Sequence, residues 1–210
     1  QFILSEIGSV LNLKKGILFT IKELLLRPDI NIKKFIHEDR KRLVKPISFI
    51  ILCSLIYIVL QHTLKFEDGY MSYSELDWEK STIGIIMNWI SNNYGFANIL
   101  MANFIALWVK LFFRKYDYNF FEILILLYFV MGIQMLMFSF FGSLDSISGL
   151  SVLNKCSIIG IVYVCWAIGR FFDKRKKVNY LKAFFAYFLG MISFLLIVVG
   201  FGALIDFILK

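Results

Sequence analysis

The side chains able to do chemistry in this chain are few enough to weigh one by one. Histidine occurs at His37 and His62, and cysteine at Cys53, Cys156 and Cys165. No two of them have the short spacing that sets ligands around one zinc ion. Cys156 and Cys165 stand nine positions apart, more than two helical turns, and read as thiols packed as small hydrophobes. No nucleophile elbow, phosphate-binding glycine loop or His-Glu-x-x-His motif occurs. Arg27 and His37 have nine residues between them, too many for the closely spaced Arg–His pair of metal-free ribonucleases. No catalytic residue, metal or cofactor is expected, and the chain reads as non-enzymatic.

What remains is a set of polar side chains inside apolar runs, where each is costly unless paired or wet. Asn98, Asn103 and Lys110 fall in one run and Gln134 near the middle of the next. Two readings stand. Such amides can simply bond a neighbouring helix, for about 0.6–2 kcal/mol. Alternatively, Asn98, Asn103, Lys110 and Gln134 line a polar path or an oligomer seam. No Asp or Glu lies in the middle of a run, which argues against proton-coupled transport. Glu122 and Asp206 sit at run ends, and Glu122 is placed to pair with Lys110 or Arg114. Small residues at four-residue spacing, Ala102 with Ala106 and Ala186 with Gly190, permit close helix approach within or between subunits.

The elements that must position these residues follow from composition. Of 210 residues, 59% are hydrophobic and only 18% charged, with 23 phenylalanines. A soluble domain carries roughly 45–50% apolar and about 25% charged residues. With a mean hydropathy of +0.73, this chain cannot bury its apolar surface in water. A soluble enzyme, a disordered chain and a disulfide scaffold are excluded. Charge-free runs of about 20 residues, enough to cross the hydrocarbon layer as helix, place spans at 46–64, 94–113, 123–144, 152–169 and 183–205. The 81–93 stretch, rich in Asn, suits the interface. Lipid offers open backbone groups no partner, and the runs lack barrel alternation, so the spans are helical. The expected fold is all-α: a polytopic membrane protein of about five transmembrane helices (46–210) preceded by amphipathic interfacial helices (1–45).

Counting Lys and Arg tests orientation. Segments alternately on one side and the other of a five-span chain hold nineteen and four basic residues. The 65–80 loop has two, against five acids. The expectation is a bacterial inner membrane with the N-terminus cytoplasmic and the C-terminus outside. The net charge of +8 then lies on the cytoplasmic face, where anionic headgroups attract it by about 1 kcal/mol per nearby basic residue. Lipid is the expected partner there, and nucleic acid is not.

Residues 1–45 repeat a helical apolar pattern three times: Phe2, Ile3, Ile7, Val10 and Leu11; Ile17, Leu18, Ile21, Leu24 and Leu25; Ile32, Phe35 and Ile36. Basic amphipathic helices of this kind lie in the membrane interface. Lys33, Lys34, Phe35, Ile36, Arg40, Lys41 and Arg42 are the expected contact with the interface or with a soluble partner. Packing against the chain's own spans is compatible with this.

The stretch Phe19-Thr-Ile-Lys-Glu-Leu-Leu-Leu-Arg-Pro28, then Lys34-Phe35-Ile36, Arg40-Lys41-Arg42 and Lys45-Pro46-Ile47-Ser48-Phe49, resembles a bacterial membrane family common in Bacteroidetes, domain of unknown function 3667. Leu111-Phe112-Phe113-Arg114-Lys115 leading into Tyr118-Asn119-Phe120-Phe121-Glu122 extends the resemblance to about residue 140. Many members carry a Cys-x-x-Cys zinc ribbon ahead of the membrane part, and residues 1–45 contain no cysteine. In size and span content the chain is also similar to the small multi-span accessory proteins of type VI-B CRISPR loci. Five short-looped spans, no catalytic set and polar groups on the second and third spans fit a homo-oligomeric pore or permeability effector, and the second likeness implies one accessory to a defence system. The alternatives are a scaffold that recruits a soluble protein through the basic N-terminal segment, and a small-solute or lipid transporter.

Overall fold

The computed structural model describes residues 16–64, 82–148 and 152–208. The amphipathic pattern at Phe2–Leu11, the 65–80 loop and the side chains of residues 152–157, Cys156 among them, lie outside the described residues. Eight helices and no strands are found among the described residues: α1 (Ile17–Leu26), α2 (Pro28–His37), α3 (Pro46–Leu64), α4 (Thr82–Asn92), α5 (Tyr94–Phe112), α6 (Phe120–Ser148), α7 (Val152–Asp173) and α8 (Lys177–Ile208).

Local chemistry sets the ends. Pro28 stops α1 and opens α2, where its missing N–H costs nothing. Asn31 Nδ2 donates to the Arg27 and Glu23 carbonyls at 2.9 and 3.2 Å, adding a second donor to two carbonyls that already accept the Asn31 and Arg27 N–H groups. α6 begins with a reciprocal cap. The Glu122 N–H donates to Asn119 Oδ1 at 2.9 Å, and the Asn119 N–H to Glu122 Oε2 at 2.7 Å. Glu122 therefore caps its own helix instead of pairing with Lys110 or Arg114. Asp206, at the far end of the sequence, accepts the Thr82 N–H at 2.9 and 3.1 Å and holds the start of α4, where a carboxylate suits the helix dipole.

Among the described residues, four helices are long and apolar enough to cross a membrane: Pro46–Leu64, Gly95–Phe112, Phe120–Ile147 and Lys177–Ile208. The fourth expected span, 152–169, forms part of α7, whose described side chains begin only at Ile158. α6 is the centre of the bundle, with 72% of its spanning window buried, and α8 is peripheral at 17%. The outward faces are apolar: Leu196, Phe201 and Phe207 on α8 are all more than half exposed. A contiguous surface of that kind is at home in lipid. The chain is an all-α polytopic membrane protein.

The helices run between two ends. At one end Ser146 Oγ donates to the Leu64 carbonyl at 2.7 Å and Thr82 meets Asp206. At the other, Arg170 pairs with Asp29, Asn179 Nδ2 donates to the Tyr116 hydroxyl at 3.0 Å, and His37 packs on Tyr118. This second end gathers α1 and α2, the 113–119 link and the 174–176 link, and with them most of the basic residues.

Small residues let α5 and α8 approach. Ala102, Ala106, Ala183 and Ala186 are fully buried, and a Cβ on Gly190 would lie 2.6 Å from Ile105 Cα. The two small-residue pairs thus serve packing within one chain. The described part of α4 packs on α8 as well, through Ile83 against Gly202.

Candidate functional site

The four residues expected on one path or seam do not come together. Gln134 is buried at the α6–α8 contact and donates to the Tyr187 hydroxyl at 3.1 Å. The amide is closed by the chain's own helices because α6 is surrounded on nearly every side. Asn103 is half-buried, and its Nδ2 turns back to the Ile99 and Leu100 carbonyls of its own helix at 3.0 and 3.3 Å. Lys110 reaches the Tyr118 carbonyl, which anchors the 113–119 link. Asn98 is 1% exposed, and neither its Oδ1 nor its Nδ2 has a protein partner.

Asn98 and Gln134 should therefore answer oppositely to the same substitution. Asn98→Leu is expected to raise the melting temperature of the purified chain, because an unpartnered buried amide costs about 1–3 kcal/mol. Gln134→Leu is expected to lower stability by about 0.6–2 kcal/mol, since it strips the Tyr187 hydroxyl of its partner. A fall in stability with Asn98→Leu would show that its amide is held after all.

The other candidate region is the basic end. Phe35 and Ile36 were expected to face the interface or a partner, but they are buried at 5% and 8% exposure. Phe35 meets Phe129 edge-on at 5.3 Å. The apolar stripe of α2 is better satisfied by α6 and α7 than by headgroups. Lys33 lies over the Phe171 ring, 5.4 Å from its centroid. Arg42 is held by Asn31 Oδ1 at 3.2 Å and Glu23 at 3.5 Å. Of the expected contact set, Lys34 is half-exposed and Arg40 and Lys41 are exposed.

Arg170 Nε stands 2.8 Å from Asp29 Oδ1, with the Asp29 side chain 8% exposed and the Arg170 side chain 25%. Arg170 also lies over Trp166 at 5.1 Å. Thr20 Oγ1 accepts the Val44 N–H at 3.2 Å, and the Tyr163 hydroxyl donates to the Leu24 carbonyl at 3.1 Å. These contacts fix the α1–α2 arm against the start of α3 and against α7. Burial, with Glu122 beside it, pushes the Tyr118 phenol up from its usual range. The Arg175 backbone N–H holds the Asp173 carboxyl below the usual carboxylate range, helped by Lys176.

Sequence reasoning missed Asp29, Asn31, Tyr163, Arg170 and Tyr187. Arg170 was one more basic residue at a run end, and Asp29 one residue after a helix-stopping proline. Their pairing joins positions far apart in the chain, so spacing held no signal for it. Among the described residues no group of three His, Cys, Asp or Glu side chains is placed to hold a metal ion. Cys53 is buried and Cys165 half-buried, both as free thiols.

No curated protein and no solved structure matches this chain. Residues 15–58 match the family model described as "Protein of unknown function (DUF3667)". The matched stretch covers α1, the Pro28 corner, α2 and its basic tail, and α3 as far as residue 58. Over its α1–α2 arm and the adjoining part of its first spanning helix, the chain is thus similar to the DUF3667 family.

Proposed function

We propose that this chain is a non-enzymatic membrane scaffold whose basic arm, on the cytoplasmic side of a bacterial inner membrane, docks an acidic face of a soluble protein. One observation carries the reading. The arm is pinned to the bundle by Asp29–Arg170 while Lys34, Arg40 and Lys41 stay partly or wholly free at its surface. A fixed array of charge gives orientation and partner choice, which a loose basic tail would not. The nineteen-to-four distribution of basic residues supports a cytoplasmic arm. A pore through a single subunit is disfavoured by the Gln134–Tyr187 closure at the middle of α6.

Two measurements test this. Cysteine labelling of intact cells should reach Glu75→Cys from outside and not Lys176→Cys; labelling of both would end the five-crossing arrangement. The full chain in liposomes should pass no ions. It should retain a soluble protein that leaves at high salt and binds about tenfold more weakly when Lys34, Arg40 and Lys41 are all changed to Glu. Ion flux through the wild type overturns the scaffold reading in favour of a pore assembled from several copies, and undiminished binding by the reversed variant overturns the basic arm as its docking surface.

A further inference from the structure

A groove of about 220 Å³ lies between α1 and α6. Ile21 and Leu25 of α1 line one side, and Ile133, Leu136, Met137, Phe140 and Phe141 of α6 line the other. Every lining side chain is apolar, and Phe140 at its rim is 61% exposed.

The position of α1 says what fills it. Thr20 is bonded to Val44, just before the start of α3, and Leu24 to Tyr163 of α7. α1 therefore crosses the face of α6 at the level where α3 begins, which is headgroup depth for a spanning helix. A helix lying at that depth holds headgroups aside, and the space on its deep side is left to hydrocarbon. Water is a poor occupant of a cleft without polar partners. The charges are placed to match. Lys22 is exposed, one position from Ile21 and three from Leu25, and Arg27 and Lys45 are exposed near the two ends of α1.

We infer that this groove is a lipid site. It takes one acyl chain of an anionic phospholipid from the leaflet on the basic side, with the headgroup over Lys22. The site would fix lipid at the arm's root and is independent of whether the arm recruits a protein.

The test uses the full chain in vesicles of phosphatidylcholine with a minor share of phosphatidylglycerol whose acyl chain carries a diazirine. After illumination, peptide mapping is expected to place adducts on residues 133–141 and 17–26 above those on the lipid-facing residues of α8, such as Leu196 and Phe201. Met137→Trp fills the groove and should remove most of these adducts. Lys22→Glu lies outside the packing and should cut the preference for phosphatidylglycerol over a diazirine phosphatidylcholine at least about fivefold, the weight of losing one basic residue at an anionic surface before the added negative charge is counted. Adducts spread evenly over α6 and α8, or a lipid preference indifferent to Lys22→Glu, overturns the inference. So does a groove free of adducts in which Met137→Trp converts a dimer to a monomer, because a second copy is then the occupant.

Discussion

Gly190→Ala is expected to force α8 away from α5 and to destabilise the bundle by about 1–3 kcal/mol, the usual cost of overpacking a tight core. The added Cβ would lie 2.6 Å from both Ile105 Cα and Cγ1, and 2.9 Å from its backbone nitrogen. A side chain could swing aside, but the backbone of α5 must move as a whole. Such a shift would also disturb Trp108 Nε1, which donates to Ser193 Oγ at 2.8 Å across the same pair of helices. Gly200 supplies the control on the same helix, since a Cβ there meets nothing within 4 Å. Gly200→Ala should be neutral or gain up to about 1 kcal/mol of helix propensity. Thermal melting of the two purified variants checks this, and equal behaviour would refute the close approach of α8 to Ile105.

The second large effect lies at the arm. Arg170→Met should leave the Asp29 carboxylate unpaired in a site that is 6% exposed. Breaking a buried pair from one side costs about 3–5 kcal/mol. The lower end is expected here, because the Arg170 side chain keeps 25% exposure. Asp29→Leu combined with Arg170→Met removes both charges and should recover most of the loss, since an apolar pair of similar bulk often replaces an ion pair without penalty. The readout is limited proteolysis at Arg40 and Lys41 alongside melting. Faster cleavage with Arg170→Met and near-normal cleavage with the double variant fit a pin between arm and bundle. Equal cleavage in all three would mean that α1 and α2 are held by Phe35 and Leu24 alone.

The groove and the arm meet at α1, and this bears on how the chain would work. Ile21 and Leu25 face the groove while Leu24 and Thr20 face the bundle. One ten-residue helix thus contributes both to the groove and to the tertiary core. Lipid under α1 and a protein partner on α2 would act on opposite sides of the same corner at Pro28.

The sequence by itself determined a membrane location and the helical state of the long apolar runs, but not the short helix α4, which it read only as interface. A long apolar run has one solution in lipid, because only a helix satisfies every backbone group internally. Residues 46–64 form α3 with the predicted bounds, and 94–113 became α5 to within a residue. α6 and α8 overrun the expected spans, reaching 29 and 32 residues. At about 1.5 Å per residue they outreach a hydrocarbon layer of about 30 Å, and hydropathy cannot see helix that continues past the membrane. The pattern of Leu24, Ile32, Phe35 and Ile36 identified an apolar face on each arm helix.

Only the tertiary structure decided what those faces and the scattered polar groups touch. Periodicity says that Phe35 must leave water, and is silent on whether lipid or Phe129 receives it. Hydropathy marks Asn98, Asn103 and Gln134 alike, yet one is unpartnered in the core, one folds back on its own helix and one bonds Tyr187. Asp29 with Arg170 and Thr82 with Asp206 close loops of well over a hundred residues. Such pairs depend on how helices are arranged around α6, and nothing local in the chain encodes that arrangement.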